Sequence, residues 1–127
     1  MDIKRRRNRM KSYLYTLLKS AAILFFTDLV WISTGGIFAR HMTEKIQGKP
    51  LSVRYGSAII VYAFLAFMLL ETTSYKQAFL YGMCIYAVYD FTSLAIYEDY
   101  DWKFAIADAL WGGILFMFSR YLLKNVV

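Results

Sequence analysis

Four long apolar stretches dominate this chain, and three of them each hold one aspartate. From Tyr13 to Ala39 the only charges are Lys19 and Asp28, and from Tyr55 to Leu70 there is none. From Ala78 to Tyr97 only Asp90 is charged, and from Phe104 to Ser119 only Asp108. A helix that crosses a bilayer needs roughly 20 predominantly apolar residues. Strands do not fit, because the runs are too long and do not alternate. The pattern predicts an all-α fold, a four-helix transmembrane bundle with helices at about 14–39, 52–71, 77–97 and 103–123. A basic N-terminal tail over residues 1–12 precedes this transmembrane domain, 13–127. The apolar fraction of 59% exceeds the roughly 45–50% of an ordinary soluble domain, and its clustering decides the class.

The net charge of +6 is unevenly spread. The tail carries Lys4, Arg5, Arg6, Arg7, Arg9 and Lys11; Lys76 follows the second predicted helix, and Arg120 and Lys124 close the fourth. The opposite side receives Arg40, Lys45, Lys49, Arg54 and Lys103, diluted by the acidic run Glu98, Asp99, Asp101. The excess of cations on the first side predicts that both termini lie on the cytoplasmic or topologically equivalent side. The tail has three readings. It is a topology determinant resting on anionic headgroups, a phosphate-neutralising arm for nucleic acid, or a docking element for an acidic protein partner. No aromatic residue interleaves Arg5 to Arg9, which disfavours nucleic acid.

A carboxylate at the centre of an apolar helix costs about 2.5–3.5 kcal/mol on insertion scales, so such residues face protein or a polar cavity and mark function or assembly. With both termini on one side, Asp28, Asp90 and Asp108 all fall near mid-bilayer or in its outer half, where they can converge. Small and polar residues flank each: Thr27, Trp31, Thr34 and Gly35 around Asp28; Gly82, Tyr86, Tyr89 and Ser93 around Asp90; Ala105, Gly112 and Ser119 around Asp108. Membrane helix interfaces favour this composition. The predicted intramembrane polar cluster is Asp28, Trp31, Asp90, Thr92, Ser93, Asp108 and Trp111. One reading makes it interhelical hydrogen bonding, with Trp31, Trp111, Thr92, Ser93 or a tyrosine hydroxyl as donors. The other makes it a proton or cation site, or a headgroup pocket. A weak internal echo links Asp28-Leu29-Val30-Trp31 with Asp108-Ala109-Leu110-Trp111, each followed by a glycine pair. Asp and Trp three apart share a helix face.

Catalytic signatures are absent. His41 is the one histidine and the sole Cys84 lies inside the third apolar run, so neither a metal site nor a disulfide framework is expected. No nucleophile elbow or phosphate-binding loop occurs. No cofactor is implied, and an enzyme using the three acids is the least supported class.

Three segments resemble an uncharacterised membrane family catalogued as domain of unknown function 2177: Asp28-Leu-Val-Trp31, Tyr89-Asp-Phe-Thr-Ser-Leu-Ala95 and Asp108-Ala-Leu-Trp-Gly112. The similarity covers about residues 20–120, and its members occur in bacteria and large DNA viruses. Family members usually carry Asn where Ser93 stands. The resemblance implies a four-helix membrane fold and no established activity. The expected function is therefore that of a non-enzymatic integral membrane protein, a structural or anchoring component of a larger assembly. A minor structural protein of the internal membrane of a large DNA virus is the instance that the resemblance suggests. Its partners would be membrane lipids and other protein subunits. The rival is a small transporter or proton- or cation-coupled carrier using the three aspartates.

Overall fold

The structure is a computed structural model and describes residues 2–126. Among these the fold is all-helical, with α1 at Asp2–Ile32, α2 at Gly35–Gln47, α3 at Tyr55–Leu70, α4 at Tyr75–Ile96 and α5 at Trp102–Asn125. Three of the five, α1, α4 and α5, are long and apolar enough to cross a membrane.

The predicted first helix ran through to residue 39; instead the chain breaks at Ser33 and Thr34. Two adjacent hydroxyls and the glycine pair that follows mark the break. Ser33 Oγ donates back to the Leu29 carbonyl at 2.6 Å, and Thr34 Oγ1 to that of Val30 at 2.9 Å. Such back-bonding competes with the helical ladder. Gly35 then lets the chain fold close over Trp31, since a Cβ there would lie 2.7 Å from the indole. The connection expected over 40–52 is largely helical, as α2. It ends in the left-handed conformation at Gly48, φ 75°, with its N–H on the Glu44 carbonyl, a conformation that favours glycine. The residues read as a basic tail are likewise helical, continuous with α1 from Asp2.

The third apolar run is shorter than expected. Pro50 and non-helical residues up to Arg54 delay its start until Tyr55. The 16 residues of α3 span about 24 Å at 1.5 Å each, short of the roughly 30 Å hydrocarbon core. The last two helices match expectation closely. Ser74 caps α4 by accepting from the Gln77 N–H at 3.1 Å, while Gln77 Oε1 takes the Thr73 N–H at 2.6 Å. Asp101 caps α5 through the Phe104 N–H at 3.0 Å. Each cap satisfies an otherwise orphaned donor.

The α4–α5 hairpin is the tightest pairing. Gly82 and Gly112 face each other so closely that a Cβ on Gly82 would collide with the Gly112 carbonyl and Phe116. A Cβ on Gly112 would sit 2.5 Å from the Gly82 carbonyl and the Tyr86 ring. Gly113 opens a slot for the Phe79 ring in the same way. Beside this seam Leu24, Leu65, Ala66, Leu69, Leu115 and Phe116 form the buried core.

Helix α1 runs antiparallel to α5, because Trp31 meets Asp108 and Asp28 meets Trp111. Continuing that register places Lys19 level with Arg120. The first ten or so residues of α1 therefore extend past the end of α5. Residues 2–15 are all exposed.

Candidate functional site

The three aspartates do converge, and their setting follows from helix periodicity. On α1 the buried residues are Ser20, Leu24 and Asp28, four apart on one stripe. On α5, Asp108 falls on the face that also buries Ala105, Gly112 and Ser119.

Asp28 is 7% exposed and nearly saturated with donors. Trp111 Nε1 donates to Oδ1 at 2.7 Å; Tyr62 and Tyr86 donate to Oδ2 at 2.6 and 3.5 Å. Asp108 accepts from Trp31 Nε1 at 2.8 Å. The two Asp-x-x-Trp segments are thus crossed: the tryptophan of each serves the aspartate of the other. The indoles stack between them, ring centroids 5.7 Å apart and 14° from parallel. Phe104 continues the column beyond Trp31 at 6.3 Å, and Phe38 of α2 beyond Phe104 at 5.8 Å.

Asp90 is fully buried. Its Oδ1 accepts from the Tyr100 hydroxyl at 2.6 Å, while Oδ2 receives no hydrogen bond. Its carboxyl lies within hydrogen-bond reach of that of Asp108. Burial, and then the bond to Asp90, hold the Tyr100 phenol above its ordinary pKa, so it remains a donor. Tyr100 itself lies in the α4–α5 connection, under α2. There Met42 covers it, and Met42 Sδ takes the Asp101 N–H at 3.2 Å.

A cavity of about 200 Å³ reaches this cluster, lined among others by Asp28, Trp31, Tyr86, Tyr89, Tyr100 and Asp108. A second, mostly apolar one of about 490 Å³ opens between α3 and α4 and also touches Asp108.

Of the residues singled out from sequence, Asp28, Trp31, Asp90, Asp108 and Trp111 come together. Ser93 is buried beside them, but its hydroxyl bonds to the Tyr89 carbonyl of its own helix at 3.0 Å. Thr92 does not join and is exposed; one residue along a helix turns the side chain by about 100°. The donors that sequence reading did not single out are Tyr62 and Tyr100. Tyr62 is one tyrosine in an unbroken apolar run, and Tyr100 stands in the acidic connection Glu98-Asp99-Tyr100-Asp101, with no periodicity to place it. The basic residues Lys4, Arg5, Arg6, Arg7, Arg9 and Lys11 are exposed around the projecting part of α1. His41 is exposed, and among the described residues no group of His, Cys, Asp or Glu is arranged to hold a metal ion.

A family model described as a predicted membrane protein, DUF2177, matches residues 11–122. No curated protein and no solved structure matches the chain.

Proposed function

The chain belongs to the DUF2177 family of predicted membrane proteins, and from that premise we propose that it is a non-enzymatic anchoring component of a larger membrane assembly. The internal membrane of a large DNA virus is one such setting. The observation that carries this reading is the projecting end of α1. The helix has 31 residues, about 46 Å, against roughly 30 Å of hydrocarbon. What projects is therefore a stiff, exposed rod that carries Lys4, Arg5, Arg6, Arg7, Arg9 and Lys11. The aspartate–aromatic network serves the same end. It fixes α1 in the bundle through bonds that lipid cannot replace, so the rod is held in one place. Anionic headgroups or an acidic protein surface suit its charge.

Replacing Arg5, Arg6 and Arg7 together by alanine keeps helix propensity high and removes half of the rod's cations. The variant is expected to insert normally and to lose co-purification with its assembly. Undiminished incorporation ends the proposal.

A second reading, a proton- or cation-coupled carrier, is favoured by one observation: Asp90 Oδ2 is buried without a donor, and the Asp90 carboxyl lies beside that of Asp108. An ionised carboxylate only accepts, so a proton or cation between the two would complete the pair. On this reading Asp90→Asn abolishes coupled flux in proteoliposomes while the fold survives. Wild-type protein without measurable flux ends this reading and leaves the first untouched.

A further inference from the structure

At the opposite end of the bundle from the aspartates lies a cation with no counter-charge among the described residues. Arg120, near the end of α5, is only 8% exposed. Its Nη1 donates to the Thr72 carbonyl at 2.7 Å and to Thr72 Oγ1 at 3.1 Å. Those bonds close the turn between α3 and α4, and the guanidinium also sits over the Tyr75 ring, 5.6 Å from its centroid. Yet Nε is buried with no partner. Among the described residues the one ion pair is Arg40–Glu44, so none of their carboxylates pairs with Arg120. A buried charge is costly unless paired.

Beside it opens a cavity of about 430 Å³, lined by Arg120, Leu123 and Lys124 of α5 and by Leu69, Leu70, Thr72 and Thr73 at the end of α3 and in the turn after it. The cavity thus combines two cations and two hydroxyls with three leucines. It lies at the bundle end from which the basic part of α1 projects, the level of the headgroups if α5 crosses the bilayer.

We propose that this Arg120–Lys124 cavity binds the phosphate of an anionic phospholipid headgroup, with the start of its acyl chains against Leu69, Leu70 and Leu123. Guanidinium suits phosphate through its planar fork of donors, and Lys124 adds a second positive charge one turn along α5. The leucines distinguish a lipid from free phosphate, since an inorganic anion gains nothing from apolar side chains.

The test uses the full chain in nanodiscs of phosphatidylcholine with phosphatidylglycerol, followed by release into detergent and native mass spectrometry. Wild type is expected to retain one phosphatidylglycerol in preference to phosphatidylcholine. Arg120 also closes the α3–α4 turn, so Arg120→Gln is paired with Lys124→Glu, whose lysine is exposed and makes no hydrogen bond among the described residues. Losing a charge-assisted contact lowers retention by about tenfold or more. Lys124→Glu should show that loss with an unchanged unfolding profile. The Arg5, Arg6 and Arg7 alanine variant should retain the lipid as wild type does, which separates this cavity from the projecting cations. Equal retention of both lipids, or undiminished retention by Lys124→Glu, overturns the proposal. Stabilisation by inorganic phosphate alone to the same extent as by phosphatidylglycerol overturns the lipid assignment in favour of a free anion.

Discussion

The two sides of this bundle are held by different means. Helices α4 and α5 meet through glycines, backbone against backbone, with Phe79 and Phe116 filling the flanks. Helix α1 is joined to α5 and α3 through carboxylates, indoles and phenols. Lipid removes the hydrophobic drive between helices that water would supply. What remains is close packing and hydrogen bonding: the α4–α5 side relies on packing, while the α1 side adds hydrogen bonds to the packing of Leu24 with Leu65, Leu69 and Leu115. The first tolerates no added atom. The second depends on single donors, each of modest worth.

The contrast can be broken most severely at the seam. Gly82→Ala places a Cβ against the Gly112 carbonyl, and neither backbone can yield without parting the helices. It should cost about 3 kcal/mol, at the upper end for overpacking, read as a shifted midpoint in detergent unfolding or as loss of monodisperse protein. Asp28→Ala should cost less, about 2 kcal/mol, because membrane hydrogen bonds average about 0.6 kcal/mol each and reach about 1.7. If it proves as damaging as Gly82→Ala, polar bonding rather than packing dominates both sides.

The crossed pairs sharpen the comparison further. Trp111→Phe keeps the stacking ring and removes the donor to Asp28, for about 1 kcal/mol. Combined with Asp28→Ala it should add little, a non-additivity that a double-mutant cycle measures directly. Full additivity would mean that the 2.7 Å bond carries no energy. Thr92→Val should change stability by less than about 0.5 kcal/mol, as surface substitutions do. A larger loss would place Thr92 inside the network, against its exposed position.

Much of this was legible in the residues. Helices α4 and α5 follow from their apolar length and from cap residues at Ser74 and Asp101. The aspartates announced themselves because a charge is expensive in lipid. The Asp-x-x-Trp echo was visible, but its crossing was not. A periodic pattern tells which residues share a face, whereas the partner across the interface depends on helix direction and register. The break at Ser33 and Thr34 was missed because hydropathy stays high through Ile37 and Phe38. Two hydroxyls followed by two glycines, Ser33 to Gly36, leave little mark on such a profile. Tyr62 was invisible for a related reason: a phenol among apolar residues reads the same whether it faces lipid or a carboxylate. In the sequence Arg120 reads as one more terminal cation. Its burial comes from packing against the α3–α4 turn, a contact between residues 48 apart.

The unbroken run of α1 from Asp2 to Ile32 has a mechanical corollary. With no joint between the anchored carboxylate and the outlying arginines, the compass bearing of those arginines is locked to that of Asp28. Inserting one alanine after Lys11 would swing the whole charged tip by about 100° and raise it by about 1.5 Å. A second would swing it as far again. A docking partner that reads direction would respond to such insertions with the rhythm of a helical turn, and one that senses only total charge would ignore them.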